Sequence, residues 1–272
     1  MEIRNIENFT KLGFLELKNS FNRNLCQKLN NDISKIRIIN KSIFLSEKEY
    51  LNQKRRKKKR NIKNILDNFN LDFILKNKIF LEKIKFILGE DFEIYAKRII
   101  CGVPQKFFPM WISSRMDLQS PNIGSFVKSK YNDIRYFHGI DYHQDLIDFS
   151  LEKANFVTVY IYLSKVTKKM SPLNLIPGTH LCGANIFPHD LVKKKNKIIY
   201  KSDSGKVINS KNKMLTGEAG DVWIWHSCLL HGTEFNVTSK PRFSLRLILR
   251  QKKNCNNKLI NKVNKKIRNI VA

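Results

Sequence analysis

From Asp91 to about Arg250 the chain is a succession of short runs rich in β-branched and aromatic residues: FEIYAKRII, NFVTVYIYL, VWIW and FSLRLIL. Pro177-Gly178, Gly217, Gly220-Asp221 and Pro241 punctuate them as turn residues. No helical pattern alternates with these strands. That excludes a parallel α/β sheet, whose strands need crossover helices, and predicts an antiparallel sandwich or jelly roll. A Lys-rich stretch from Lys193 to Lys213 interrupts the series and is expected as an inserted loop or hairpin.

The segment before Asp91 has a different period. Phe21, Leu25, Leu29, Ile33 and Ile36 recur at three- and four-residue intervals, the stripe of an amphipathic helix. A second helical stretch runs from Ser46, whose spacing to Glu49 is that of a capping box, to Leu88, where Gly89 predicts a stop. The expected organisation is one domain over 1–272: a helical part at 1–90, a β core at 91–250 and a basic tail at 251–272. A length of 272 residues suits this.

A hydrophobic content of 42% supplies a core and excludes a disordered chain. No run of eighteen uncharged apolar residues is present, and the start MEIRNIENFTKLGF has no apolar leader region, so neither a membrane span nor a signal peptide is expected. Cys26, Cys101, Cys182, Cys228 and Cys255 are scattered and form no CxxC, the usage of free thiols in a reducing compartment; a cytoplasmic location follows. Charge is lopsided, with 51 Lys+Arg against 23 Asp+Glu for a net +28. Such a field favours acidic partners. The joint dominance of Lys, Asn and Ile is also that of an AT-rich coding sequence, and this plainer account is preferred. The seven cations Lys54 to Arg60 are taken as a solvated face, because no aromatics interleave to stack on bases.

His143-Gln144-Asp145 is the first chemical signal. Residues two apart in an extended segment project to one face, so this imidazole and carboxylate can reach one metal. His231 follows 231 − 143 = 88 residues later, just after the β-like run VWIW. Two His and one carboxylate on one face of an octahedron is the ligand set of non-haem iron(II) oxygenases, which need open positions. Arg242, eleven residues beyond His231, offers a two-point fork for a carboxylate, as the far end of a dicarboxylic 2-oxo acid requires. Thr233 adds a hydroxyl for the same group, and Arg246 is the alternative anchor on the same strand face.

Together these residues resemble the phytanoyl-CoA dioxygenases and their broad relatives. The matching pieces are Tyr142-His143-Gln144-Asp145, VTVYIYLSKV, SPLNLIPGTH, GDVWIWHSCLLHGTEFN and Pro241-Arg242, in the family's order. The resemblance implies a double-stranded β-helix (a cupin-like jelly roll), mainly β with peripheral helices. It implies Fe(2+), with 2-oxoglutarate and O2 as co-substrates. Residue by residue, His143, Asp145 and His231 match the metal ligands. Arg242 and Thr233 match the positions that hold the co-substrate's distal carboxylate, and Tyr160 matches an aromatic beside it. Asp145 implies hydroxylation, since halogenating relatives have a small residue there.

The substrate implied is a small molecule, a lipid or acyl group, or a carrier-linked compound. Two rivals stand beside this reading: a nucleic-acid-modifying oxygenase, suggested by the charge, and a non-catalytic metal-binding jelly roll. Nucleic acid is not favoured as a partner. Among the other histidines, His180 either lines the pocket or caps its turn, while His138, His189 and His226 are expected as ordinary core or loop residues. Cys228 and His231 are close in sequence, but nothing else of a cysteine nucleophile is visible.

Overall fold

The structure, a computed structural model, describes residues 2–54, 63–115, 123–146, 154–195, 197–252 and 258–267. The cation run Lys54–Arg60 therefore lies outside the described residues, apart from the backbone of Lys54.

Helix α1 (Glu2–Leu12) is followed by strand β1 (Phe14–Leu17) and helix α2 (Arg23–Ile36). The Asn22 side chain caps α2 by accepting the N–H groups of Asn24 and Leu25. Its buried face is Cys26, Leu29 and Ile33. Leu25 and Ile36, which the spacing places on that stripe, remain 45% and 44% exposed. The face is thus rotated slightly from the one read in the sequence.

The stretch from Ser46 to Leu88 is broken into α3 (Glu47–Lys54), α4 (Asp72–Leu75) and α5 (Lys78–Leu88). Asn64, Asn70 and Asn77 are responsible. Each side-chain oxygen accepts a backbone N–H two or three residues on, offering the chain an alternative to continued helix. The capping box is present: Glu49 accepts the N–H and hydroxyl of Ser46 at 2.6 and 2.9 Å, and Ser46 Oγ accepts the Glu49 N–H at 3.2 Å. Gly89 ends α5 at φ 101°, a backbone conformation that favours glycine.

The remaining strands are β2 (Phe92–Gly102), β3 (Arg135–Phe137), β4 (Ile140–His143), β5 (Phe156–Tyr162) and β6 (Leu173–Leu175), then β7 (Asp190–Lys194), β8 (Lys197–Lys201), β9 (Val207–Ser210) and β10 (Lys213–Met214). They end with β11 (Val222–His226), β12 (His231–Thr233) and β13 (Arg242–Gln251), and short helices α6 (Met110–Ser113) and α7 (Leu259–Asn264) complete the chain. A six-stranded sheet has the order β1-β11-β5-β13-β2-β3, and a four-stranded sheet the order β10-β6-β12-β4. The double-stranded jelly roll is therefore present, and the sheets do not close into a barrel. The Lys-rich insertion folds as a separate three-stranded sheet, β7-β8-β9.

Apolar layers hold these elements. Tyr160, Tyr162, Trp223 and Trp225 from the large sheet meet Leu173 and Leu175 from the small one, so these two sheets face each other. The opposite face of the large sheet, with Ile99, Val159, Ile224 and Leu245, packs on Cys26, Ile33, Ile84 and Ile260 from the helices. Tyr142, Ile176 and Leu230 pack with Ile198 and Tyr200 of the insertion. Two features depart from the sequence reading. β1 lies inside the segment read as helical, and pairs antiparallel with β11 in the register Phe14↔Trp225 to Leu17↔Val222. A strand of four residues is too short for alternation to show. In the segment read as a basic tail, α7 buries Leu259, Ile260 and Val263. Among the described residues no helix is long and apolar enough to cross a membrane.

Candidate active site

The antiparallel pairing of β12 with β4 sets His231 directly opposite His143. Their rings lie 4.3 Å apart between centroids. Asp145 follows two residues on, completely buried. Gln144 points the other way and fixes the local chain: its amide donates to the carbonyls of Gly183 and Cys228 at 2.7 and 2.8 Å, and its oxygen accepts the Asn185 N–H at 3.0 Å. The ligand atoms of His143, Asp145 and His231 all fall within 4.8 Å of one another.

Each imidazole is oriented by a backbone carbonyl. His143 Nδ1 lies 2.9 Å from Asp141 O, and His231 Nδ1 lies 3.0 Å from Leu229 O. A carbonyl only accepts, so both Nδ1 atoms carry hydrogen and both Nε2 atoms are left for the centre. Burial pushes the His143 pKa down to about 3, leaving a neutral ring suited to a metal. For His231 burial acts in the same direction, but Asp145, 3.6 Å away, outweighs it and raises the pKa. A divalent cation would take the place of that proton. Burial opposes ionisation of Asp145, yet His231, Arg246 and His143 together hold its carboxyl well below the usual range.

The Asp145 carboxylate is used unequally. Oδ2 accepts two hydrogen bonds, from Thr158 Oγ1 at 2.6 Å and from Trp225 Nε1 at 2.9 Å. Oδ1 is buried and accepts no hydrogen bond. A buried carboxylate oxygen without a donor is costly unless a cation completes it. The donor set, two imidazoles and this oxygen, therefore fits iron(II) bound by one oxygen of Asp145. Because Phe keeps the ring bulk and loses the N–H, Trp225→Phe is expected to weaken iron(II) affinity by about 10-fold, within the range for outer hydrogen-bond partners of metal ligands. Competition dialysis measures it, and unchanged affinity would show that the bond does not orient Asp145.

Arg242 is 1% exposed. Its Nε donates to Met170 O at 3.1 Å and its Nη1 to Ser244 Oγ at 2.8 Å. Tyr160 lies within electrostatic reach of the same guanidinium. Gly102 opposite Arg242 makes room for it, since a Cβ there would lie 3.2 Å from Nε and Nη2. Among the described residues no carboxylate pairs with this buried cation, and the buried Oγ1 of Thr233 has no partner. A fixed charge and a spare hydroxyl of this kind suit an incoming carboxylate.

Other candidates separate cleanly from the centre. His180 is packed under α1, with Nε2 3.2 Å from Thr10 O, so it serves the core. His226 bonds Asn264 Oδ1 through Nε2 at 2.8 Å. The Cys228 thiol is buried and pushed up to about 12, which rules out a nucleophile activated by His231. Sequence reasoning missed Thr158, Trp225 and Gly102. The alternation within VTVYIY and VWIW does place Thr158 and Trp225 on one face, but not which face.

The family model for phytanoyl-CoA dioxygenase (PhyH) matches residues 9–244. Solved structures of similar fold include EctD from S. alaskensis with bound Fe, at 14% identity and a TM-score of 0.54, covering 92% of this chain and 77% of that one. A second is the epimerase SnoN in complex with Fe3+, alpha ketoglutarate and nogalamycin RO, at 9% identity and a TM-score of 0.53, covering 92% and 83%. EvdO2 from Micromonospora carbonacea var. aurantiaca, complexed with 2-oxoglutarate, matches at 13% identity and a TM-score of 0.52, covering 92% and 91%. No curated protein matches the sequence. At these identities the solved structures speak for the fold, and the family model, which spans most of the chain, speaks for descent: this chain belongs to the phytanoyl-CoA dioxygenase family.

Proposed function

We propose that the chain is an iron(II)- and 2-oxoglutarate-dependent dioxygenase that hydroxylates an unactivated C–H bond of a small-molecule, lipid or acyl, or carrier-linked substrate. The observation that carries this is the buried cluster of His143, Asp145 and His231, with Oδ1 of Asp145 lacking any hydrogen-bond donor. Bound iron(II) and 2-oxoglutarate supply oxidation by O2, with the 2-oxo acid decarboxylated to succinate and an oxygen atom inserted into the C–H bond. His143 and His231 would hold the metal through Nε2 and Asp145 through Oδ1. Thr158 and Trp225 keep the second oxygen of Asp145 occupied, which leaves positions on the metal free. Arg242, with Tyr160 and Thr233, would bind the far carboxylate of 2-oxoglutarate. The apolar walls from Trp223, Trp225, Leu173 and Leu175 exclude water. Asp145 favours hydroxylation. A cytoplasmic setting belongs to the same reading, in keeping with four buried free thiols, Cys26, Cys101, Cys182 and Cys228.

The test is anaerobic loading with iron(II), addition of 2-oxoglutarate and O2, and measurement of succinate. Succinate dependent on both iron and 2-oxoglutarate is expected. A mass-spectrometric screen for products heavier by one oxygen atom then finds the substrate. Tight iron binding with no succinate would instead identify a metal-binding jelly roll without catalysis.

A further inference from the structure

On the inner face of the six-stranded sheet, residues paired across neighbouring strands point to one side. The registers Trp223↔Tyr160, Tyr160↔Arg246 and Arg246↔Arg98 therefore form one continuous row. Its end sets two arginines directly opposite each other, on β13 and β2. Like charges directly opposite each other in a sheet repel. Arg246 has a side chain 19% exposed, and its Nη1 lies 3.8 Å from Asp145 Oδ1. Arg98 is partly buried. Among the described residues neither makes a hydrogen bond, and Arg98 has no ion pair.

Asp145 cannot satisfy this pair. Its Oδ2 is already taken by Thr158 and Trp225, and Oδ1 is the oxygen offered to the metal. With iron(II) and 2-oxoglutarate bound, the divalent ion, Arg242, Arg246 and Arg98 would face, among the described residues, only Asp145 and a dicarboxylate. Two positive charges would remain unmatched. Arg242 does not fill this role, because it lies four residues earlier on β13, about 13 Å along the strand.

We propose that Arg98 and Arg246 form a second anion site, and that the substrate carries a carboxylate or phosphate group which bridges them beside the metal centre. The assignment to substrate rests on the oxygenase reading; the anion site itself does not. Guanidinium pairs suit such oxyanions through two-point hydrogen bonding. Each residue would act by positioning the substrate, holding its anionic end so that a C–H bond faces the metal.

Inorganic phosphate is the probe, titrated at physiological salt into the metal-free chain and into the chain loaded with zinc(II) and 2-oxoglutarate. Calorimetry and thermal denaturation read it. The wild type is expected to bind phosphate in both forms and to melt higher with it. Arg98→Gln and Arg246→Gln should each weaken binding at least about tenfold, as loss of one charge-assisted contact does. Without phosphate, Arg98→Gln should melt no lower than the wild type, since it removes a repulsion. Lys193→Gln is the control, an exposed position on β7 of the inserted three-stranded sheet, and should bind phosphate normally. Absence of phosphate binding, or equal loss in Lys193→Gln, would overturn the site. A loss falling on 2-oxoglutarate affinity would overturn the substrate assignment, because the pair would then serve the co-substrate. If the loaded wild type binds no 2-oxoglutarate while phosphate binding persists, the oxygenase reading fails and the anion site stands.

Discussion

His143→Ala, Asp145→Ala and His231→Ala are each expected to reduce succinate formation at least about 100-fold, because even partners one shell outside a metal ligand cost 10- to 100-fold. Each removes one of only three protein bonds to iron. The measurement pairs iron content with turnover, so that loss of metal is separated from loss of chemistry. The folds should differ in a predictable way. Asp145→Ala strands the hydroxyl of Thr158 and the indole N–H of Trp225. An unsatisfied buried donor costs about 1–3 kcal/mol, so this variant should melt below the wild type. Asp145→Asn keeps an acceptor for both donors and should recover much of that stability without recovering activity. His143→Ala leaves the Asp145 hydrogen bonds intact and should unfold less readily than Asp145→Ala. Normal turnover in any one of the three alanine variants would remove that residue from the metal site.

What made this centre legible in the sequence is that its parts are short-range. His143 and Asp145 share a strand face through a period of two, and the two-residue spacing survives any register. The link to His231 is long-range, and pairing of β12 with β4 supplies it. Arg242 was visible only by its distance from His231. Neither Thr158 nor Trp225 was found, because a hydrogen bond between β5, β11 and the segment after β4 depends on how two sheets face each other. The same holds for Arg98, whose partner is set by the β2–β13 register. In the helical segment, asparagines cut one apparent helix into pieces, and hydrophobic spacing alone carries no record of such caps. β1 was hidden for a different reason: its partner strand lies more than 200 residues away in sequence, pairing Phe14 with Trp225.

Arg242→Lys is expected to raise the apparent KM for 2-oxoglutarate by at least about tenfold, with iron binding retained. A tenfold loss corresponds to about 1.4 kcal/mol, modest beside the 1.5–3 kcal/mol of a hydrogen bond to a charged group. Lysine keeps the charge but loses the planar fork. It also cannot reproduce the present geometry, in which Nε and Nη1 are spent on Met170 O and Ser244 Oγ. That division orients the guanidinium and leaves Nη2 for a carboxylate. A lysine ammonium in the same cavity would be drawn to the Met170 carbonyl and sit away from the incoming group. The loss should therefore appear in KM more than in kcat, since the distal carboxylate is held equally before and during the chemical step. Arg246→Lys provides the contrast: it should leave KM for 2-oxoglutarate within about twofold, because Arg246 lies beside Asp145 and points toward the other anion site. If Arg246→Lys raises KM and Arg242→Lys does not, the co-substrate anchor is Arg246. The buried charge of Arg242 would then be structural, held by the Met170 carbonyl and the Ser244 hydroxyl.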